Sequence, residues 1–308
     1  DCLGQLRFAE DAVDLGLPSM TVEQAAAEGA KTAVIGIAPQ GGVLPAHWVP
    51  ILQDVLRAGL DIASGLHSRL KDIPEIADLA ATLGRTLHDV RHNTLALPVG
   101  NGKPRAGLRL LTVGTDCALG KKYTAMAIAS EMKARGLKAD FRATGQTGIL
   151  IAGGGIAIDA VVGDFISGAA EILSPDNDPD HWDIIEGQGA ILHPAYAPVT
   201  LGLLYGSQPD ALVLCDDPLR ERLNDFPHVR CPTLQEAMDA YLPLARAANP
   251  AARFVGISLN TSSMSESQAF ETIIRTAEET GLACFDPIRT SVAAVVDVLA
   301  DFPERARH

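Results

Sequence analysis

Aromatic residues make up only 5% of this 308-residue chain, and there are five cysteines. Cys2, Cys117, Cys215, Cys231 and Cys284 are scattered, odd in number and form no CxxC pair. That argues against a disulfide framework and a cysteine-type zinc site, and it predicts a reduced, cytoplasmic protein. Positive charge is also short. Lys plus Arg is 25 against 38 for Asp plus Glu, a net charge of −13. Such a surface repels a polyanion, so nucleic acid is not an expected partner. An anionic ligand has to be drawn in by a local site. Long apolar runs are missing too. The least polar long stretch, 148–170, holds Asp159, Asp164 and six glycines, which makes a poor membrane span. No secretory signal pattern is visible, internal repeats are absent, and His181 and His193 stand without metal-ligand spacing. The chain begins at Asp1 without Met, so a natural start upstream of it is expected.

What is present is an apolar fraction of 47%, ample for a core, over a length that suggests about two domains at roughly 150 residues each. From Asp1 to about residue 93, strand-like runs "KTAVIGIA" (31–38), "LDIASGLH" (60–67) and "TLHDVR" alternate with helical patterns at 46–58 and in "IPEIADLAATLG". "PQGG" (39–42) is a glycine-rich strand end, and "ALPVGNGKPRAG" (96–107) reads as a linker. The expected domains are therefore 1–100 and 107–308. In the second, apolar strands are expected at 108–113, 138–143, 182–186, 210–215, 253–259 and 281–285. Helical patterns fall at 121–135, 160–173, 233–248, 264–280 and 289–299. The fold class is α/β, with a mostly parallel sheet covered on both faces. Ligands of such sheets sit at the carboxyl ends of the strands.

The first strand of the second domain runs into "TVGTDCALGKKYTA" (112–125). Gly114, Thr115, Asp116, Cys117, Gly120 and Lys121 make a phosphate-binding loop between a strand and a helix. Backbone N–H groups converge there, and a lysine adds its charge. The first glycine sits one residue earlier than in the usual pattern. Where an ATP-using loop places the Ser or Thr that holds Mg²⁺, this chain has Lys122. Tyr123 and Thr124 follow and complete the expected cofactor-binding set, although helical geometry turns Thr124 away from the position that would hold Mg²⁺. The two lysines point to phosphate charges neutralised without a metal, as a ligand carrying a pyrophosphate and a separate phosphomonoester would need. Coenzyme A is one such ligand.

Other candidate residues follow later strands. "RATGQTG" (142–148) offers Arg142, Thr144, Gln146 and Thr147, or forms a plain turn. "EGQGAILHP" (186–194) offers Glu186, Gln188 and His193. Glu186 at a strand end suits general-base work; it would equally serve as a helix cap or a lysine's partner. In "AIDAVVGDFISGAAE", one of Asp159 and Asp164 is expected to cap the following helix, and at least one to meet a partner or a substrate ammonium. Cys117 could carry an acyl group, though a small packed residue fits its place better.

"GTDCALGKKYT", "ATGQTG", "DAVVGDFISGAAE" and "EGQGAILHP" together resemble the DgcN family of D-glutamate N-acetyltransferases. "DCLGQLRFAEDAVDLGLPSM" and "VIGIAPQGG" resemble its N-terminal domain, so the likeness covers nearly the whole chain. "GTDxxxGK" and "EGxG" also look like the more distant dethiobiotin synthetases. The resemblance implies a Rossmann-like N-terminal domain and a P-loop C-terminal domain. It also implies acetyl transfer from acetyl-CoA to the amine of D-glutamate, in D-glutamate catabolism.

For that chemistry we expect donor phosphates on Thr115–Lys122 and Glu186 as base, with Asp116, Asp159 and His193 behind it. Arg142 and His193, with Gln146 and Gln188 nearby, would hold the substrate. The glycines of "EGQG" would supply oxyanion donors, and no metal is expected. The acceptor is expected in a cleft at the domain boundary, and a homodimer is plausible. Rival readings are an ATP-dependent ligase or kinase of dethiobiotin-synthetase type and a non-catalytic nucleotide-binding module.

Overall fold

The computed structural model describes residues 2–8, 13–37 and 42–302, in two compact units, 1–92 and 93–308. Of the "PQGG" stretch, residues 39–41 lie outside the described residues.

The first unit carries α1 (Val22–Ala27), β1 (Thr32–Val34), α2 (Val49–Arg57), β2 (Asp61–Ser64), α3 (Pro74–Leu83) and β3 (Leu87–Asp89). Its strands form a parallel sheet in the order β1-β2-β3. Leu52, Val55 and Leu56 of α2 and Ile76 of α3 bury their apolar stripe with Ile62 of β2 and Leu87 of β3. Proline in the first turn of α3 and Gly84 at φ 63 after its last residue bound that helix, as the sequence pattern implies.

The second unit starts with β4 (Leu108–Gly114), α4 (Lys121–Ala134), β5 (Ala139–Arg142), α5 (Gln146–Ala152), α6 (Ile166–Leu173) and β6 (Trp182–Ile185). It continues with α7 (Ala197–Ser207), β7 (Ala211–Asp216), β8 (Arg222–Leu223), β9 (Phe226–Arg230) and α8 (Leu234–Ala248). It ends with β10 (Arg253–Leu259), α9 (Glu266–Thr280), β11 (Ala283–Phe285) and α10 (Ala293–Ala300). Six strands make one all-parallel sheet in the order β11-β10-β7-β4-β6-β5. β8 and β9 form a separate antiparallel hairpin.

β4 is buried at every position, because both of its faces are covered. Leu108 and Leu110 pack with Ile128 and Met132 of α4, while Leu111 and Val113 pack with Leu204 of α7 and Tyr241 of α8. The chain leaves β4 for the edge strand β5, returns as β6, then crosses to β7 on the far side. The carboxyl ends of β6, β4 and β7 therefore meet where the winding reverses, the usual place for a ligand in such sheets.

Several expectations are corrected. "GQTGILIA" is helical from Gln146, not a turn. The helix expected over 160–173 begins at Ile166, after two 3₁₀ turns at Ile158–Ala160 and Gly163–Phe165. Neither Asp159 nor Asp164 caps it, since its N-cap is Phe165 without a side-chain bond. Asp159 is exposed, so no buried acid arises there. α7 was not foreseen, because "APVTLGLLYGS" is apolar on all sides and shows no amphipathic period. The linker stretch packs onto the second unit: Glu171 accepts from the amides of Asn101 and Gly102, and Asp176 from that of Ala106.

Candidate active site

The loop from Gly114 to Gly120 holds its shape through strained backbone and side-chain bonds. Ala118 has φ 52 and Gly120 φ 98, conformations that turn the chain tightly into α4. Thr115 donates from Oγ1 to Asp216 Oδ1 (2.5 Å) at the end of β7, and its amide bonds Cys215 O (3.1 Å). Tyr241 OH donates to Gly114 O (2.9 Å) and accepts from Ile191 N (2.9 Å). One phenol thus ties the loop's base to the segment after β6.

Lys121 is buried, and its Nζ donates to Asp116 O (2.6 Å), a carbonyl of its own loop. Burial pushes its pKa below the usual lysine value, and the nearby Cys215, Cys117 and Asp116 oppose that. α4 has no acidic residue in its first turn and no side-chain cap. It opens instead on two lysines, where the helix dipole is already positive. That arrangement costs stability until an anion arrives.

Asp116 is fully buried and saturated. Oδ1 accepts from Cys117 N (2.6 Å), and Oδ2 accepts from Arg220 Nη1 (2.9 Å) and Asn224 N (2.7 Å). Arg220 also donates to Cys117 O (2.7 Å). The carboxylate therefore fastens the β8–β9 hairpin to the phosphate loop.

Glu186 directly follows β6 and is 4% exposed. Oε2 accepts from Thr144 N (3.0 Å) and Gly145 N (3.2 Å), where α5 begins, and among the described residues Oε1 accepts no hydrogen bond. Burial raises its pKa. The two amides and Lys122 pull it down, and Asp159 pushes it up. The neighbouring glycines are required by space. A Cβ on Gly148 would lie 2.3 Å from Glu186 Oε2, and one on Gly187 would lie 1.7 Å from Thr112 O. Gln188 Nε2 donates to Thr144 Oγ1 (3.1 Å), and that hydroxyl donates to Glu186 O (2.6 Å).

Family models match both parts of the chain. Residues 7–93 match the DUF1611 N-terminal domain, described as a Rossmann-like domain of unknown function. Residues 98–296 match the DUF1611 C-terminal domain, described as a P-loop domain of unknown function. The chain belongs to the DUF1611 family. A crystal structure of a family member from Anabaena variabilis superposes with a TM-score of 0.84 at 37% identity, covering 92% of this chain and 84% of that one. Two curated relatives are named D-glutamate N-acetyltransferase. The protein from Tritonibacter scottomollicae is 48% identical over 97% of this chain and 90% of its own length. The one from a Pseudoalteromonas species is 46% identical over 96% and 89%.

The fold brings Gly114–Lys122, Glu186 and Gln188 to one end of the sheet, with Gln146 opening the helix beside them. It does not bring all candidates there in usable form. Arg142 is already paired: Nε donates to Asp183 Oδ1 (2.7 Å) on β6, and Nη2 lies 3.6 Å from Asp140. Thr124 faces β10, where its Oγ1 meets Ser258 Oγ (2.8 Å), and Tyr123 is half exposed on α4. Gly187 N is not a free oxyanion donor, since it bonds Thr112 Oγ1 (2.9 Å).

His193 is 1% exposed. Its Nδ1 accepts from Ala195 N (3.1 Å) and Tyr196 N (3.3 Å), so the ring proton sits on Nε2. Its pKa is lowered by burial. A base needs a lone pair facing the substrate, and His193 has its only one turned to the backbone. Asp116, Cys117 and His193 each bring a ligand atom within 4.8 Å of the others. As a metal site the three fit poorly. Nε2 carries a proton, Asp116 accepts three donors, and burial keeps the Cys117 thiol protonated.

Arg220, Tyr241 and Asp216 escaped the sequence reading. Each is ordinary in its local sequence and becomes part of the site only through contacts more than 100 residues away. No described helix is long and apolar enough to cross a membrane.

Proposed function

We propose that this protein moves the acetyl group of acetyl-CoA to the amine of D-glutamate. What carries the reading is the match, at 46–48% identity over nearly the whole chain, to two enzymes of that name. The geometry supplies the means. Donor phosphates rest on the amides of residues 118–121, which lead into α4, and draw Lys121 off Asp116 O. Glu186 takes the proton of the acceptor ammonium through Oε1, while Thr144 and Gly145 hold Oε2 still. The amine then attacks the thioester carbon, the C–S bond breaks, and the second amine proton passes to the leaving thiolate, giving the free thiol of CoA. Asp116 and His193 are structural in this reading.

Lys121 lies against the segment that Glu186 opens: a Cβ on Gly187 would sit 3.2 Å from Lys121 Cδ. The coenzyme's arm, roughly 14 Å if extended like four residues of chain, therefore has to fold back over the loop. The ligase or kinase alternative lacks its metal-holding hydroxyl, because Lys122 occupies that position and Thr124 bonds Ser258. The test is to incubate the protein with acetyl-CoA and a panel of D- and L-amino acids and follow free thiol. Thiol release specific to D-glutamate supports the reading. Magnesium-dependent ADP formation from ATP, with no thiol release, would replace it with the ligase class. No turnover in either assay would favour a binding module.

A further inference from the structure

The acceptor on this reading carries carboxylates, and the two residues expected to receive them are otherwise engaged. Arg142 is paired with Asp183, and the Nε2 of His193 is buried facing Asp116 Oδ1 at 3.7 Å. Lys122 is in the opposite condition. Its Nζ lies 4.5 Å from the centroid of the Tyr123 ring, and among the described residues no hydrogen bond or ion pair reaches it. It sits in the first turn of α4, with no acid in that turn to balance it. Lys121, its neighbour, already provides the buried cation of the phosphate loop.

Glu186, more than nine-tenths buried, leaves Oε1 without a partner in the same way. Glu186 and Lys122 make no ion pair within 4.0 Å, yet the lysine's field reaches the carboxylate. The first turn of α4 lies against the residue after Glu186, since a Cβ on Gly187 would sit 3.2 Å from Lys121 Cδ. An ammonium without a hydrogen bond and a carboxylate oxygen without one thus stand at the same end of the sheet without closing. Lys122 is half-buried and Glu186 buried, and among the described residues neither charge is matched by an opposite one in hydrogen-bond reach. A zwitterion with its charges reversed supplies the missing partner at both ends.

We infer that Lys122 binds the α-carboxylate of the amino-acid acceptor, and that Lys122 with Glu186 forms a zwitterion clamp beside the phosphate loop. This rests on the acetyltransferase reading above. The clamp selects α-amino acids over simple amines and holds the amine against its base.

The test uses the full chain and steady-state thiol release. Lys122→Met keeps the stem and removes the charge, and Lys122→Arg keeps the charge. With Lys122→Met, the KM for D-glutamate should rise about 10- to 100-fold, the scale of a charge-assisted hydrogen bond. The KM for acetyl-CoA should stay within about twofold, and Lys122→Arg should recover part of the loss. The wild type should also prefer D-glutamate to its α-carboxamide by a similar factor, and Lys122→Met should lose that preference. A raised KM for acetyl-CoA with an unchanged KM for D-glutamate would return Lys122 to the donor phosphates and overturn the inference alone. An α-carboxamide used as well as D-glutamate by the wild type would also overturn it. No acetylation of D-glutamate by the wild type would overturn the underlying reading, and this inference with it.

Discussion

Replacing Glu186 by Gln separates the chemistry of the site from its architecture. The side chain keeps its length. Its amide oxygen can still accept from Thr144 N and Gly145 N, now at 3.0 and 3.2 Å. What is lost is the charge and the basic oxygen, and an NH₂ group faces the substrate ammonium instead. Loss of a general base typically lowers the rate by about 10²–10⁴, so kcat should fall by that order while the KM for acetyl-CoA changes little.

The same substitution should act oppositely on stability. Burial raises the Glu186 pKa, so the fold favours the protonated carboxyl. Its ionisation weakens the fold at every pH above the raised value and has no effect below the unfolded-state value. Glu186→Gln should therefore melt at or above the wild-type temperature at neutral pH, and the difference should vanish as the pH falls below the ordinary carboxylate range. In the wild type, the acid limb of kcat/KM should lie above that range, and the variant should lack it. Thiol release across pH and thermal melts at two pH values measure all of this. A Glu186→Gln enzyme with near wild-type kcat at neutral pH, or one that melts lower there, would refute the assignment.

Lys121→Ala should weaken acetyl-CoA binding by roughly 1.5–3 kcal/mol by calorimetry, and EDTA should leave binding unchanged. Loss on EDTA with none on Lys121→Ala would reverse the metal-free assignment. Gly187→Ala puts a methyl 1.7 Å from Thr112 O and 2.8 Å from its carbonyl carbon, both backbone atoms, so β6 has to shift from β4. It should cost about 1–3 kcal/mol or more in denaturant unfolding. The resulting shift of Glu186 should lower kcat by about 10². Asp116→Asn removes the charge paired with Arg220, which is 19% exposed and so partly solvated. A stability loss of about 2–4 kcal/mol is expected, with the acid limb of the pH profile in place. Movement of that limb instead would make Asp116 the base.

The sequence by itself determined the periodic parts of this protein. β4, β7 and β10 are legible because both sheet faces are covered, which makes each strand a continuous apolar run. α8 and α9 are legible through amphipathic stripes and capping boxes at Thr233 with Glu236 and Ser265 with Gln268. The phosphate loop was legible because its glycines, lysine and strand–helix setting are contiguous. Glu186 was legible because it ends a strand. α7 was not, since a helix apolar all round has no period to read.

Only the tertiary structure decided which polar groups remain available. Arg142 and Asp183 lie 41 residues apart, and their pairing follows from β5 and β6 lying side by side. The tautomer of His193 is fixed by two backbone amides in its own turn, a matter of ring orientation that no spacing encodes. Asp116 is filled with donors because Arg220 and the β8–β9 turn fold back over it. Residue type and spacing show what a side chain can do. Whether it is free to do it depends on which distant partner the fold places against it.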